Sequence, residues 1–377
     1  MPPPDRILVI FIITNTLSCN NRVVVNLIKV KTSASIVLGY STQASVMYFV
    51  MGAFYNRKGE MDVESVFFQA TRDALDNITA AFDFVHPLRA SMLYTRRKLS
   101  EINASVENAD DMAFQAEVDP EHLVHGVGYR ESFINTAWEN QEEQLAWLLL
   151  NNLFAIHEGW AQRLYSERFE AKGYNENRFI KRLQYEGLEA KFTSYYAIRG
   201  KRSDVLEAAY FDVYKDSVQL DFSKLENYML LYRYYKEARN CYMHHNIIAS
   251  QNVVGAYNNY LPIATLSDLD TKEVPIIVPP VLGQPLKLSL RGVIGFSQFV
   301  RRILIITDIN LIQTSAAEDE FLSNAPDNRN TQILSNNPTI AKMQIAKYSN
   351  RAGFLKPKWS EDFQKFLICK GIFIRKL

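Results

Sequence analysis

The chain has 377 residues, of which 47% are hydrophobic, so it is long enough for about two or three domains with a sizeable core. The formal net charge of +1 excludes a global electrostatic attraction to nucleic acid or to a membrane, and any RNA-binding charge must be local. Cys19, Cys241 and Cys369 are odd in number and far apart, which argues against a disulfide framework and favours a reducing, cytoplasmic location.

The first sixty residues differ in composition from the rest of the chain. No acidic residue occurs between Asp5 and Glu60, and residues 7–13 form a continuous apolar run. That run resembles the core of a signal peptide, but it is shorter than the roughly 20 residues that a membrane-spanning helix needs. We predict that residues 1–60 are a non-native or poorly ordered extension, with a genuine secretion signal as the alternative, and we expect no membrane partner.

Helical patterns begin after residue 61. Apolar residues recur at helical spacing up to Phe84, Pro87 predicts an interruption, and a second helix is expected over 90–105. A long helix is predicted over Glu131–Phe169, with apolar residues on more than one face around Leu145–Phe154. This pattern is typical of a central core helix or of a helix in a dimer interface.

A basic and aromatic stretch follows, over residues 163–202, with about twice as many basic as acidic residues. Basic side chains bind phosphates, and aromatic rings stack on unpaired bases. The alternative is an ordinary solvated helix surface. From this stretch we take the following candidates for RNA binding: Lys181, Arg182, Arg199, Lys201 and Arg202.

The stretch Leu225–Ser250 predicts one tyrosine-rich helix, capped by Ser223 together with Glu226. At about 100° per residue, one stripe of this helix is mainly aromatic and a second is polar. His244 falls on the polar stripe, whereas His245 falls nearer apolar residues and is expected to be packed or to face a partner. The aromatic stripe contains Leu225, Tyr228, Tyr232, Tyr235, Arg239 and Tyr242, and the polar stripe contains Arg233, Glu237, Asn240 and His244.

Four residues separate Arg239 from His244, and the first of these four is Asn240. His245 directly follows His244. An arginine, a polar residue and a histidine at this spacing resemble the R-x(4–6)-H motif of HEPN domains. That superfamily is all-helical and includes many metal-independent ribonucleases. The resemblance is strongest over about residues 205–250 and can be extended over 62–312.

The resemblance implies a function and a set of partners. It implies RNA cleavage without a cofactor, in which the ribose 2′-hydroxyl attacks the adjacent phosphate. His244 would act as general acid or base, with His245 as a further candidate, Arg239 would stabilise the charged transition state, and Asn240 would orient the phosphate or the histidine. It also implies a homodimer with two facing motif helices, and a toxin or phage-defence role with a cognate antitoxin or defence-system partner. The apolar faces of both long helices independently favour a homodimer.

The rest of the chain completes the predicted organisation. After Ser250, prolines punctuate short β-branched runs, which predict a small irregular β element or arm, and an apolar helix follows over 292–312. We therefore predict an all-α, mainly helical bundle with a small irregular β element after the motif helix. The predicted domains are an extension (1–60), a HEPN-like helical domain (61–312), a linker (313–338) and a small C-terminal module or tail (339–377).

Two other classes of function remain open. The first is a non-catalytic helical module that binds protein or nucleotide through the same faces. The second is a metal site of Cys241, His244 and His245, which lacks a second nearby pair of ligands. His157 and Glu158 open like a zinc-protease motif, but Ala161 stands where the second histidine would be required, so that motif is incomplete.

Overall fold

The computed structural model describes residues 8–14, 24–30, 66–105, 111–121, 126, 128–173, 176, 202–324 and 332–375. The chain divides into two units, Met1–Asp62 and Val63–Leu377. In the first unit, β1 (Leu8–Thr14) pairs antiparallel with β2 (Val24–Val30). The remainder of the predicted 1–60 extension lies outside the described residues, and its interpretation stays a prediction.

The second unit is helical, which confirms the predicted all-α class. Its one described sheet is a parallel pair of three-residue strands, β3 (Gln332–Leu334) and β4 (Phe373–Arg375). Its longer helices are α1 (Gln69–Ser105), α2 (Asp111–Val118), α3 (Trp138–Arg168), α4 (Leu225–His244), α5 (Gln251–Tyr260), α6 (Leu290–Leu311), α7 (Ser315–Ser323), α8 (Pro338–Arg351) and α9 (Glu361–Cys369). None of the helices in the described part of the chain is both long and apolar enough to cross a membrane.

Shorter helical turns connect these helices. The helical region before α4 consists of a π-helical turn with one short α-helical segment on each side of it. The turns are Glu131–Asn135, Glu170–Lys172, Asp204–Leu206, Glu207–Phe211, Asp212–Ser217, Phe222–Lys224 and Leu261–Ile263. Residues 264–289, which we call the arm, are irregular, and the small β element predicted there consists of one isolated bridge between Ile248 and Pro285.

The interruption predicted at Pro87 is wrong, because α1 continues through that residue to Ser105. A proline inside a helix removes one backbone hydrogen bond and costs about 3 kcal/mol. Polar contacts hold the second half of α1 against α3 and the turn before it. Arg89 donates to Glu142 at 2.6 Å, and Arg96 donates to the carbonyl oxygen of Thr136 at 2.7 Å. Contacts of this kind stabilise the part of the helix that follows the proline.

The main core lies among α1, α3, α4 and α6: α3 and α6 pack against each other, and each of them packs against both α1 and α4. Aromatic rings fill the space between helices: the rings of Tyr235 and Phe296 stack with centroids 4.2 Å apart, and those of Phe154 and Tyr232 lie 5.1 Å apart. Burial of each such side chain stabilises the fold by about 1.5–3 kcal/mol.

The apolar faces from which the sequence predicted a homodimer are covered within the single chain, so that argument for a dimer is wrong. Within the 145–154 run, Leu148 is the large apolar residue that faces solvent, with 61% of its surface exposed. The residues buried in the core are Leu145, Leu149, Leu150, Leu153, Phe154, Tyr228, Tyr232 and Tyr235.

Two buried carboxylates anchor the start of α1. Asp308 accepts hydrogen bonds from the backbone N–H groups of Phe67 at 2.6 Å and Phe68 at 3.0 Å, and Glu320 accepts one from Gln69 at 2.8 Å. Carboxylates at the N-terminal end of a helix accept hydrogen bonds from its unpaired N–H groups and interact favourably with the positive end of the helix dipole. Burial nevertheless raises the pKa of Asp308 to about 7, because the charged form loses its water.

A second aromatic cluster joins the C-terminal segment to the turns before α4. The Tyr210 hydroxyl donates to Ser349 on α8 at 2.8 Å, and the Tyr210 ring contacts Phe363 on α9 edge to face at 5.5 Å. Within the predicted linker, α7 forms a helix whose Phe321 is buried in the same cluster. The boundaries at 313–338 and 339–377 stay a prediction, but α7, α8 and α9 each contribute a residue to this cluster.

Candidate active site

The motif helix α4 is preceded by a 3-10 turn, Phe222–Lys224, rather than by the predicted capping box. Asp221 is the residue that caps this turn, because its carboxylate accepts the N–H of Ser223 at 2.9 Å and the Ser223 hydroxyl at 2.6 Å. These hydrogen bonds lower the pKa of Asp221. The hydroxyl of Ser223 is therefore engaged by Asp221, and the prediction that Ser223 caps the motif helix is wrong.

The motif helix ends at His244, six residues before the predicted end at Ser250. The N–H groups of His245 and Ile247 both donate to the carbonyl oxygen of Cys241, at 2.9 and 3.1 Å. Asn246 (φ 50°) and Ile247 (φ 69°) then adopt the left-handed conformation, which costs roughly 1–2 kcal/mol per residue. For a β-branched residue such as Ile247 this conformation is a clear outlier.

The arm holds this strained turn in place through backbone hydrogen bonds. The N–H of Leu286 donates to the carbonyl oxygen of Ile247 at 2.9 Å, and the N–H of Ala249 donates to that of Gln284 at 2.9 Å. Strain of this kind persists only where the surroundings over-determine it, and such places cluster at functional sites. The backbone at the end of α4, next to the motif histidines, is thus held in one conformation by the arm.

Arg239 lies at the edge of the core with 24% of its side chain exposed. Its Nη1 is 3.7 Å from Oε1 of Glu158 on α3, which is longer than the 2.7–3.2 Å of a hydrogen bond. Its Nε is buried and has no hydrogen-bond partner among the described residues. The guanidinium is therefore held loosely by one carboxylate and retains free hydrogen-bonding capacity.

The motif residues differ in their access to solvent. Asn240 is half-buried, whereas His244 and His245 are both exposed. His244 follows Arg239 by five residues, which places it about 7.5 Å further along the helix axis and about 140° around it. The two residues lie on different stripes, and the long arginine side chain is what could bring their functional groups together.

The prediction that His245 is packed is wrong, because this residue is exposed. The prediction assumed that the 100° spacing continued, but the helix has ended and His245 has φ −124° and ψ 21°. A role for His245 in facing a partner stays a prediction.

Neighbouring aromatic residues fix the end of the motif helix to α3. The Tyr242 ring stacks on the Trp147 ring, with centroids 4.8 Å apart and planes 21° apart. About three turns further along α3, the Nδ1 atom of His157 lies 3.2 Å from the Tyr232 hydroxyl oxygen. Burial, and then the charge of Lys236, lower the pKa of His157 to about 3. His157 is therefore a neutral core residue and cannot exchange protons with a substrate at the surface.

The RNA-binding candidates can be located only in part. Lys181, Arg182, Arg199 and Lys201 lie outside the described residues. Arg202 is exposed and forms ion pairs with Glu207 at 2.5 Å and with Asp204 at 3.5 Å. Contact of these residues with RNA stays a prediction.

The residues of the alternative metal site are not arranged as ligands. Cys241 is buried, and its thiol donates to the Ser250 hydroxyl oxygen at 3.4 Å, whereas His244 is exposed. Within the described ranges, no group of three or more His, Cys, Asp or Glu side chains is placed to hold a metal ion.

No family model, no curated protein and no solved structure matches this chain. The functional assignment therefore depends on the residues and their geometry. Sequence reasoning placed Arg239, Asn240 and His244 on one helix but did not identify Glu158 as the partner of Arg239. The two residues are far apart in the chain and no sequence pattern connects them.

Proposed function

We propose that this protein is a metal-independent endoribonuclease of the HEPN type, with its reaction centre at Arg239 and His244. One observation carries the proposal: an exposed histidine follows, at the motif spacing, an arginine whose guanidinium is only loosely paired. Imidazole titrates near neutral pH, and guanidinium is a planar donor that suits phosphate. One imidazole and one guanidinium, the two kinds of group that phosphodiester cleavage without a metal uses, therefore occur on one helix, and the proposed dimer supplies the second imidazole.

In the proposed reaction, the imidazole of His244 removes the proton of a ribose 2′-hydroxyl. The resulting oxygen bonds to phosphorus, and the bond from phosphorus to the 5′-oxygen breaks. A second imidazole, which a facing copy of the motif helix supplies in this proposal, protonates the departing 5′-oxygen. The products are a 2′,3′-cyclic phosphate and a 5′-hydroxyl, and no oxidant or metal takes part.

Arg239 and Asn240 have supporting roles in this proposal. The negative charge on the non-bridging oxygens grows in the transition state, and Arg239 donates to them. Asn240, which precedes His244 by about one turn, orients the phosphate or the imidazole. The fixed turn after His244 supports this assignment, because proton transfer requires the imidazole to be held within hydrogen-bond reach of the substrate.

A homodimer and a biological role belong to the same proposal. Two motif helices facing each other would supply two imidazoles and two guanidiniums to one cleft. The C-terminal end of α4 suits such an arrangement, since Met243, His244 and the following His245 are all exposed. A toxin or phage-defence effector, regulated by a cognate antitoxin or defence-system partner, is the role that we infer from the resemblance.

The test is an RNA cleavage assay with the purified full chain in excess EDTA. We expect fragments that end in a cyclic phosphate and begin with a 5′-hydroxyl. The His244→Ala variant, purified in parallel, controls for a contaminating ribonuclease. Light scattering at the assay concentration is expected to give the mass of a dimer.

A non-catalytic binding module is the second candidate, and the contact between Arg239 and Glu158 favours it, because that contact gives the arginine a structural role. In that case the protein would bind protein or nucleotide at the end of α4. Full-chain protein that leaves RNA intact in EDTA, and whose binding of a nucleotide is weakened by His244→Ala, would support this candidate over the ribonuclease.

A further inference from the structure

A groove of about 770 Å³ opens between α8, the loop that follows it and α9, in the C-terminal part of the second unit. Among the described residues that line this groove, none is Asp or Glu. We use the name basic groove for the cluster of positive side chains and one tryptophan that it contains: Lys342, Lys347, Arg351, Lys356, Lys358 and Trp359.

Most of the positive charge in the basic groove is not neutralised. Lys358 pairs with Asp212 at 2.6 Å, but the other four cations form no ion pair with a carboxylate in the described part of the chain. Lys347 and Arg351 lie four residues apart on α8, a spacing at which like charges repel and destabilise a helix. A bound anion would relieve this repulsion.

The basic groove also offers a surface for a flat apolar group. The Nζ atom of Lys342 lies 5.4 Å from the ring centre of Trp359, and Trp359 is half-buried. The groove is also lined by Ile345 and Phe363, each only 1% exposed. A cation stacked on an indole above an apolar base is a combination that accepts both a phosphate and an aromatic base.

We propose that the basic groove binds single-stranded nucleic acid, with phosphates on the free cations and a base stacked against Trp359. An unpaired strand fits better than a duplex, because only unpaired bases expose their faces for stacking. An anionic membrane fits less well, because Trp359 lines a concave groove rather than projecting from the surface. The proposal does not require the ribonuclease activity proposed for Arg239 and His244.

The test uses a short labelled oligodeoxythymidine, which has no 2′-hydroxyl and so cannot be cut by the proposed reaction. We expect the full chain to bind it with an affinity that falls as salt rises, with a log–log slope of roughly −2 to −3 for four phosphate contacts. Duplex DNA and vesicles of phosphatidylserine are expected to bind at least tenfold more weakly at the same salt.

Charge-matched variants locate the binding site. We expect the triple variant Lys342→Gln, Lys347→Gln, Lys356→Gln to weaken binding by more than tenfold and to reduce the salt slope by about 2. The control triple variant Lys272→Gln, Lys287→Gln, Lys365→Gln removes the same charge from exposed positions that do not line the groove, and it is expected to bind within about twofold of the wild type. Equal weakening by the two triples would overturn the proposal.

Trp359 variants test the stacking. Trp359→Ala is expected to weaken binding roughly tenfold and Trp359→Phe only slightly, because phenylalanine keeps a π-face. If Trp359→Ala does not fold, the decisive measurement is quenching of tryptophan fluorescence by the oligonucleotide. Quenching that is the same in the wild type and in Trp359→Phe would overturn the proposal, as would tighter binding to duplex DNA or to vesicles, or no binding at all.

Discussion

Arg239 on α4 and Glu158 on α3 face each other across the edge of the core, with Nη1 and Oε1 separated by 3.7 Å. The side chains are 24% and 33% exposed, so water screens the attraction between them. Ion pairs in such surroundings contribute about 0–1 kcal/mol to stability. The contact is therefore weak enough for the guanidinium to exchange Glu158 for a phosphate.

The first prediction concerns Glu158. We expect Glu158→Gln to change the free energy of unfolding by less than about 1 kcal/mol, because the pair is partly exposed and its 3.7 Å separation is long. RNA cleavage is expected to be retained, since the substitution removes only a competitor for Arg239. Denaturant titration and cleavage rates measure the two effects. Loss of cleavage with the fold intact would instead make Glu158 part of the chemistry.

The second prediction concerns whether residue 239 must carry a planar guanidinium. We expect Arg239→Ala and Arg239→Lys both to lower the rate of RNA cleavage strongly, because lysine lacks the planar fork that binds two phosphate oxygens. The rate at saturating RNA is expected to fall more than the affinity, since the charge develops in the transition state. Arg233→Lys is the matched control: Arg233 lies on the same helix, pairs with Glu237 at 2.9 Å, and is expected to tolerate the change.

The third prediction concerns the contact between the arm and α6. A Cβ at Gly292 would lie 2.0 Å from the backbone oxygen of Ile276, so the backbone of the arm would have to move. We expect Gly292→Ala to destabilise the fold by about 1–3 kcal/mol, as overpacking does. It is also expected to slow RNA cleavage, because the arm holds the turn after His244.

Gly255→Ala provides the control for this effect. Gly255 lies inside α5, and a Cβ there would meet nothing within 4 Å. In a helix interior, this change is expected to stabilise the fold by roughly 0.5–1 kcal/mol. If thermal unfolding shows the two variants shifting in the same direction, the arm is not packed against α6 as described.

The fourth prediction concerns pH and two buried titratable groups with opposite effects. The pKa of Asp308 rises from 3.8 to about 7 on folding, so its contribution is fully present below the lower value and is lost as pH rises through the higher one. The pKa of His157 falls from 6.5 to about 3, so its contribution is present above 6.5 and is lost as pH falls. Between about pH 4 and 6.5 the two slopes, each up to about 1.4 kcal/mol per pH unit, oppose each other.

Single variants show how much each group contributes to the slope of stability against pH. Relative to the wild type, Asp308→Asn is expected to make stability rise more steeply with pH over this range, because the contribution of His157 is no longer opposed. His157→Gln is expected to shift the slope in the opposite direction. Urea titrations from pH 4 to 6.5 measure both slopes, and equal slopes in the wild type and both variants would show that neither group titrates as described.

Sequence periodicity was sufficient to predict the helical class, the long α3, the start of the motif helix at Leu225, and α6. Periodicity could not predict that α1 continues through Pro87, because this continuity depends on contacts with α3 and with Thr136, about forty to fifty residues away in the chain. The end of α4 depends on the left-handed turn at Asn246 and Ile247. Asparagine is a known signal for that conformation, but isoleucine is not.

The candidate site was predictable to the same degree. The spacing of Arg239, Asn240 and His244 was visible in the sequence, whereas the loose contact with Glu158 and the exposure of His245 depend on how α3 and the arm pack. No local pattern encodes those contacts.

RNA cleavage at His244 is tested most directly by comparing His244→Ala with His245→Ala in EDTA. Both histidines are exposed, so both variants are expected to keep the circular dichroism spectrum and melting temperature of the wild type. We predict that His244→Ala lowers the single-turnover cleavage rate by about a hundredfold to ten-thousandfold, as loss of a general acid or base does, and that His245→Ala lowers it much less. A His244→Ala variant that cleaves RNA at the wild-type rate, or a wild-type protein that cleaves no RNA, would contradict the assignment.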